Sequence, residues 1–125
     1  MKSILIVDDE HAILLALEMV LTDEGYSVRT ALNGKQALER LAEQRPDVVL
    51  LDVMMPVLSG PETIKHMKSD PEYAQIPIVL MSAVFPQFTQ EEFPWDAFLR
   101  KPFEITRILA VIESVIAGKK VKPGK

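Results

Sequence analysis

Two apolar runs in this chain end on aspartate: Ile4-Leu5-Ile6-Val7 on Asp8-Asp9, and Val48-Val49-Leu50-Leu51 on Asp52. A third run, ending at Met81, is followed by Ser82, and Phe98-Leu99 is soon followed by Lys101-Pro102. In an open parallel sheet, ligands bind outside the carboxyl ends of the strands. Acids at those ends share one crevice, and at roughly 5 Å with an effective dielectric of about 20 each like-charged pair costs about 3 kcal/mol. Something cationic must offset that repulsion. A hard divalent ion with oxygen ligands fits best, and a lysine is the next candidate.

The elements that would carry these residues alternate along the chain. Ser3 to Val7 is apolar on both faces, as a parallel strand covered by helices is. Ala12 to Asp23 then sets Ile13, Leu14, Leu17, Val20 and Leu21 on one helical stripe, with Gly25 as its stop. Tyr26 to Ala31 reads as a strand, and Asn33 as an N-cap answered by Gln36. Val48 to Leu51 is the central strand, followed by a second helix start at Ser59-Gly60-Pro61-Glu62. Ile76 to Met81 is a fourth strand, Phe98-Leu99 a short fifth, and Ile105 to Ile116 a last amphipathic helix. Between Ala83 and Trp95 a crossover helix is due, yet Pro86 and Pro94 bracket a cap, Thr89-Gln90-Glu91-Glu92, with about one turn behind it. Alternation of this kind predicts an α/β fold on a parallel sheet.

Composition narrows the function. The 125 residues suit one domain, and a net charge of −4 gives no reason to expect nucleic acid. The absence of cysteine excludes disulfides, thiolate catalysis and zinc-thiolate sites. No apolar run is long enough to span a bilayer, and the first strand begins too early for a signal peptide. A cytoplasmic protein is the expectation.

The pieces Ile6-Val7-Asp8-Asp9-Glu10, Leu51-Asp52 with Met55-Pro56 and Gly60, Ser82-Ala83, and Lys101-Pro102-Phe103 occur in order, each at a strand end. Over residues 1–117 the chain resembles the receiver domain of two-component response regulators. The resemblance implies a doubly wound, flavodoxin-like sheet of five parallel strands in the order 2-1-3-4-5, here with a shortened or irregular fourth helix. It implies Asp52 as phosphoacceptor, with a sensor histidine kinase or a histidine phosphotransfer protein as donor and a downstream protein as target. It implies Mg²⁺ held by Asp9, Asp52 and the backbone carbonyl of Met54, with Asp8 acting through water. Ser82, the N–H of Ala83 and Lys101 would meet the phosphoryl oxygens. Ser82 and Phe98 would form the switch, and a cis peptide would precede Pro102. Residues 118–125, with four lysines, are expected to be a disordered tail.

Plainer readings exist for each residue alone. Asp9 or Glu10 could cap the first helix, Ser82 could be a turn residue, and Lys101 a solvated lysine. His11 and His66 read as solvent-facing. Haloacid dehalogenase phosphatases also use a strand-end aspartate, but they need a carboxylate two residues on, where this chain has Met54. No P-loop or Gly-x-Gly-x-x-Gly pattern occurs. A phosphorylation-independent interaction scaffold is the alternative, although such a receiver would normally have lost an acid or the lysine. Phe85, Phe88, Phe93, Trp95 and Phe98 crowd the unusual crossover. They refill the core beneath a missing helix or form a partner surface, and the first is favoured. Met54 and Val84 beside the site are apolar and offer no hydrogen bond to place a hydrolytic water, so a long-lived phosphoryl group is expected.

Overall fold

A computed structural model describes residues 1–118; the basic tail expected beyond Gly118 lies outside the described residues. The elements are β1 (Ser3–Val7), α1 (His11–Asp23), β2 (Ser27–Ala31), α2 (Gly34–Glu43), β3 (Val48–Asp52), α3 (Gly60–Lys68), β4 (Ile78–Ser82), β5 (Ala97–Arg100) and α4 (Ile105–Ile116). All five strands are parallel, in the order β2-β1-β3-β4-β5. The expected doubly wound architecture is therefore present.

Strand alternation divides the core into two layers. Ile4, Ile6, Val48, Leu50, Val79, Met81, Ala97 and Leu99 pack against Leu14, Leu17 and Leu21 of α1 and Ile108, Val111, Ile112 and Val115 of α4. Leu5, Val7, Val49, Leu51, Ile78, Leu80 and Phe98 face the other way, against Ala37 and Leu41 of α2 and Ile64 and Met67 of α3. A register slip of one residue would exchange the faces of a strand. Because both faces are apolar, the register needs anchors at the strand starts. Two aspartates supply them. Asp47 Oδ2 accepts the Ser3 N–H at 2.7 Å, and Asp96 Oδ2 accepts the Ile78 N–H at 2.8 Å.

Local signals explain the helix ends. Asn33 accepts from the Gln36 N–H, and Ser59 and Glu62 form a reciprocal capping box. After α1, Gly25 adopts φ +96°, and the Tyr26 and Gly25 N–H groups bond back to Leu21 and Thr22. This is the Schellman arrangement. Strand β4 begins two residues later than the sequence reading places it. Pro77 has no N–H to give a ladder, and the Asp96 carboxylate occupies the Ile78 N–H.

The connection from β4 to β5 contains no helix. Thr89 and Glu92 cap each other, the Phe93 N–H reaches the Thr89 carbonyl at 3.0 Å, and the turn goes no further. Pro94 follows at once. In place of a helix, Phe88 sits edge-on to Phe93 and Trp95 at 5.3 and 5.5 Å, over a buried Phe98. Phe88, Phe93, Trp95 and Phe98 join the core layer of α2 and α3. Phe85 alone stays half exposed, edge-on to Phe98 at 5.1 Å. Among the described residues no helix is long and apolar enough to cross a membrane.

Gly60 brings the β3–α3 loop back onto β3. Its N–H bonds the Val53 carbonyl at 2.9 Å, and a Cβ here would lie 2.6 Å from the Asp52 carbonyl oxygen and 2.8 Å from Val53 Cα. Both obstacles are backbone, so the chain must move. Gly60→Ala is expected to cost about 2 kcal/mol through overpacking. Gly25→Ala, where nothing lies within 4 Å, should cost only the left-handed penalty of about 1 kcal/mol. Urea melts of both variants check the ranking, and a Gly60→Ala protein as stable as wild type would contradict it.

Candidate functional site

The two-residue period of the strands decides which end groups meet. Ile4 and Ile6, Val48 and Leu50, and Ala97 and Leu99 all face the α1/α4 layer. One further step along each strand gives Asp8, Asp52 and Lys101, so these three continue on one side of the sheet. Val7 is the register partner of Leu51, which puts Asp8 beside Asp52. The ammonium of Lys101 closes the group, 2.8 Å from Asp8 Oδ2 and 3.5 Å from Asp52 Oδ1. Ser82 follows Ile78 and Leu80, which face the opposite layer, and so approaches the crevice from the other side.

Each side chain has a definite environment. Asp8 is wholly buried, and its Oδ1 accepts the Glu10 N–H at 2.9 Å. Glu10 is the N-cap residue of α1 but makes no side-chain cap bond, and its carboxylate reaches Lys101 at 3.5 Å from the solvent side. The capping reading of Glu10 therefore fails. Asp9 is exposed, and carboxylate oxygens of Asp8, Asp9 and Glu10 lie within 4.8 Å of one another. Ser82 is buried, with its Oγ accepting the Val84 N–H at 3.3 Å. The Ala83 carbonyl accepts from Arg100 Nε at 3.3 Å. The Lys101–Pro102 peptide is cis. Phe98 is buried, and His11 and His66 are exposed.

Three carboxylates thus contact one ammonium, and a fourth, Asp9, lies beside two of them. Burial raises the pKa of Asp52 to about 6, the charge of Asp8 adds to the rise, and Lys101 opposes it. For Lys101, burial works to lower the pKa. The hydrogen bond to Asp8 and the charges of Asp52, Asp8 and Glu10 outweigh it, so the pKa is raised. The lysine stays charged and leaves an excess of carboxylate oxygens. A donor set of hard oxygens with surplus negative charge fits Mg²⁺ and does not suit a soft metal.

Beside these acids lies a cavity of about 740 Å³ whose lining includes Asp9, Met54, Ser82, Val84, Phe85 and Phe88. The side chains of Met54 and Val84 are 73% and 57% exposed. The loop carrying Met54 turns sharply at Val57, whose φ is +70°, with the Leu58 N–H on the Pro56 carbonyl at 2.7 Å. That is a γ-turn centred on a β-branched residue, an uncommon and strained choice. Sequence reasoning missed this turn because Pro-Val carries none of the Gly or Asn signals for positive φ. It also missed the contact of Glu10 with Lys101, which no spacing in the sequence encodes.

The raised Asp52 pKa has a stability consequence. The unfolded carboxyl titrates at about 4. Between that pH and about 6 the folded protein holds a proton that the unfolded chain has released. Stability therefore falls as pH rises through this window. Without divalent metal, Asp52→Asn should gain about 2 kcal/mol at pH 7, and the gain should vanish by about pH 4. Urea melts in chelator at both pH values check this, and a variant no more stable than wild type at pH 7 would contradict it.

Comparison with known proteins agrees with this geometry. The response regulator receiver domain family matches residues 4–113. The chain is 32% identical over 123 residues to the alkaline phosphatase synthesis transcriptional regulatory protein PhoP of Bacillus subtilis, covering 96% of this chain and 50% of that one. It spans about half the length of the first curated relatives it matches. Among solved structures, chemotaxis protein CheY4 of Vibrio cholerae superposes with a TM-score of 0.86 at 31% identity, covering 92% of this chain and 98% of that one. The receiver domain of sensor histidine kinase PA1611 from Pseudomonas aeruginosa superposes with a TM-score of 0.83 at 26% identity, covering 93% and 98%. That structure has a magnesium ion coordinated in its active-site cleft. With its fold, its strand-end acids and lysine, and a family match over most of its length, the chain belongs to the response regulator receiver domain family.

Proposed function

We propose that this domain accepts a phosphoryl group on Asp52 from a phosphohistidine of a sensor histidine kinase or histidine phosphotransfer protein, and thereby changes its binding to a downstream protein. The observation that carries this reading is the contact of Lys101 with both Asp8 and Asp52. It holds two buried carboxylates at the strand ends with a cation beside them. With a pKa of about 6, Asp52 is mostly ionised at neutral pH and can act as a nucleophile. Its oxygen attacks phosphorus in line, the new P–O bond forms as the P–N bond breaks, and the imidazole leaves with the electron pair.

The surrounding residues have separate tasks in this reading. Lys101 pairs with one phosphoryl oxygen as a compact charge. The Ser82 hydroxyl and the Ala83 N–H donate to others. Asp9, Asp52 and the Met54 backbone carbonyl would hold Mg²⁺, with Asp8 acting through water. When bound, the ion neutralises charge on the phosphoryl oxygens. Ser82 and Phe98 form the switch. Phe98 is already buried, and without a hydroxyl it needs no polar partner there.

Acetyl phosphate should add one phosphoryl group by intact mass, and chelation or Asp52→Asn should abolish the addition. Stoichiometric labelling of Asp52→Asn would refute the assignment. The exposed apolar pair Met54 and Val84 places no water, so the double variant Met54→Asn/Val84→Glu should lose its phosphoryl group faster, by up to about a hundredfold. Decay measured after removal of the phosphodonor checks this, and equal or slower loss would contradict it.

A further inference from the structure

Met54 carries an exposed thioether in the wall of the site, its neighbour Met55 lines the same cavity but is only partly exposed, and Met67 and Met81 are sealed in the core. The geometry points to Met54 as a site of reversible oxidation by hydroperoxides that shortens the lifetime of the phosphoryl group. This inference rests on the phosphoacceptor reading of Asp52. The sulfur lone pair attacks one oxygen of hydrogen peroxide, and an S–O bond forms as the O–O bond breaks. The departing oxygen takes the remaining proton and leaves as water. Sulfur is oxidised by two electrons and the peroxide is reduced. The sulfoxide can be returned to the thioether by methionine sulfoxide reductases.

The consequence follows from what lines the cavity. Asp9, Ser82, Met54 and Val84 all line this cavity, together with Met55 and the polar side chains of Ser59 and Gln87. In this reading Asp9 and Ser82 are engaged by metal and phosphoryl group. Met54 and Val84 are apolar, so no free side-chain acceptor among these four can hold an attacking water. Oxidation changes one of them into a polar S=O group at the same place, without altering the chain. The acceptor orients water beside phosphorus and takes up the charge that develops on its protons. Met1 and Met19 are also exposed but lie away from the cavity, Met1 ahead of β1 and Met19 on the outer face of α1. They serve as internal controls.

The test treats the intact chain with dilute hydrogen peroxide and maps sulfoxides by tandem mass spectrometry. The protein is then labelled with acetyl phosphate, and decay is followed after the donor is removed. Met54 should oxidise as readily as Met19, and decay should quicken on the order of three- to tenfold, part of the hundredfold that placement of an attacking group can command. A sulfoxide reductase should restore the slow decay. In Met54→Leu, peroxide should leave that variant's own decay constant where it was, although Met1 and Met19 still oxidise and Met55 still lines the cavity. Slow oxidation of Met54, unchanged decay in the oxidised wild type, or the same acceleration in Met54→Leu would each overturn the inference. An untreated protein that takes no label would refute the phosphoacceptor reading and this inference with it. A protein that labels normally but decays insensitively to peroxide removes the inference alone.

Discussion

The ammonium of Lys101 joins the ends of three strands by charge. It stands 2.8 Å from Asp8 on the loop after β1 and 3.5 Å from Asp52 at the end of β3, while its own backbone extends β5. Asp8 is wholly buried, and a buried carboxylate without its partner typically costs about 3–5 kcal/mol. The lysine is therefore what allows two acids to sit side by side at the edge of an apolar core. It does not neutralise them fully. Four carboxylates against one cation leave a crevice that favours a second cation and keeps Asp52 near the boundary between its protonated and ionised forms.

The β4–β5 connection shapes the other wall of that crevice. A parallel crossover needs only a dozen or so residues and is usually helical. Here two prolines leave a single turn and no helix, and four aromatic side chains supply the apolar area that a crossover helix would have covered. Ser82 and Phe98 flank this segment. Phe85, half exposed and edge-on to the buried Phe98, is the ring of this segment with room to move.

Much of this was legible in the residues. The alternation of strand and helix gave the fold class, and family resemblance supplied the strand order. Asp8, Asp9, Asp52, Ser82 and Lys101 stood out because charged or polar groups at the ends of apolar strands need partners. Strand parity could also have shown that Asp8, Asp52 and Lys101 share one face, since each lies two residues beyond a core residue of the same layer. Other features were beyond reach. The start of β4 depends on Asp96, eighteen residues downstream of Ile78, whose carboxylate takes the strand's first N–H. The turn at Val57 is imposed by closure of the loop onto Gly60 and runs against the local preference of valine. The sorting of the aromatics, four into the core and Phe85 outward, depends on how the loop closes, and composition cannot specify that.

The central claim is that the carboxylate beside Lys101 at the end of β3, and no other acid of the crevice, forms the covalent bond. Borohydride reduces an acyl phosphate to the corresponding alcohol and so records which carboxyl carried phosphorus. After treatment with acetyl phosphate and Mg²⁺, reduction and peptide sequencing by mass spectrometry should find homoserine at position 52 alone. Homoserine at position 8 or 9, or none at position 52, would contradict the account.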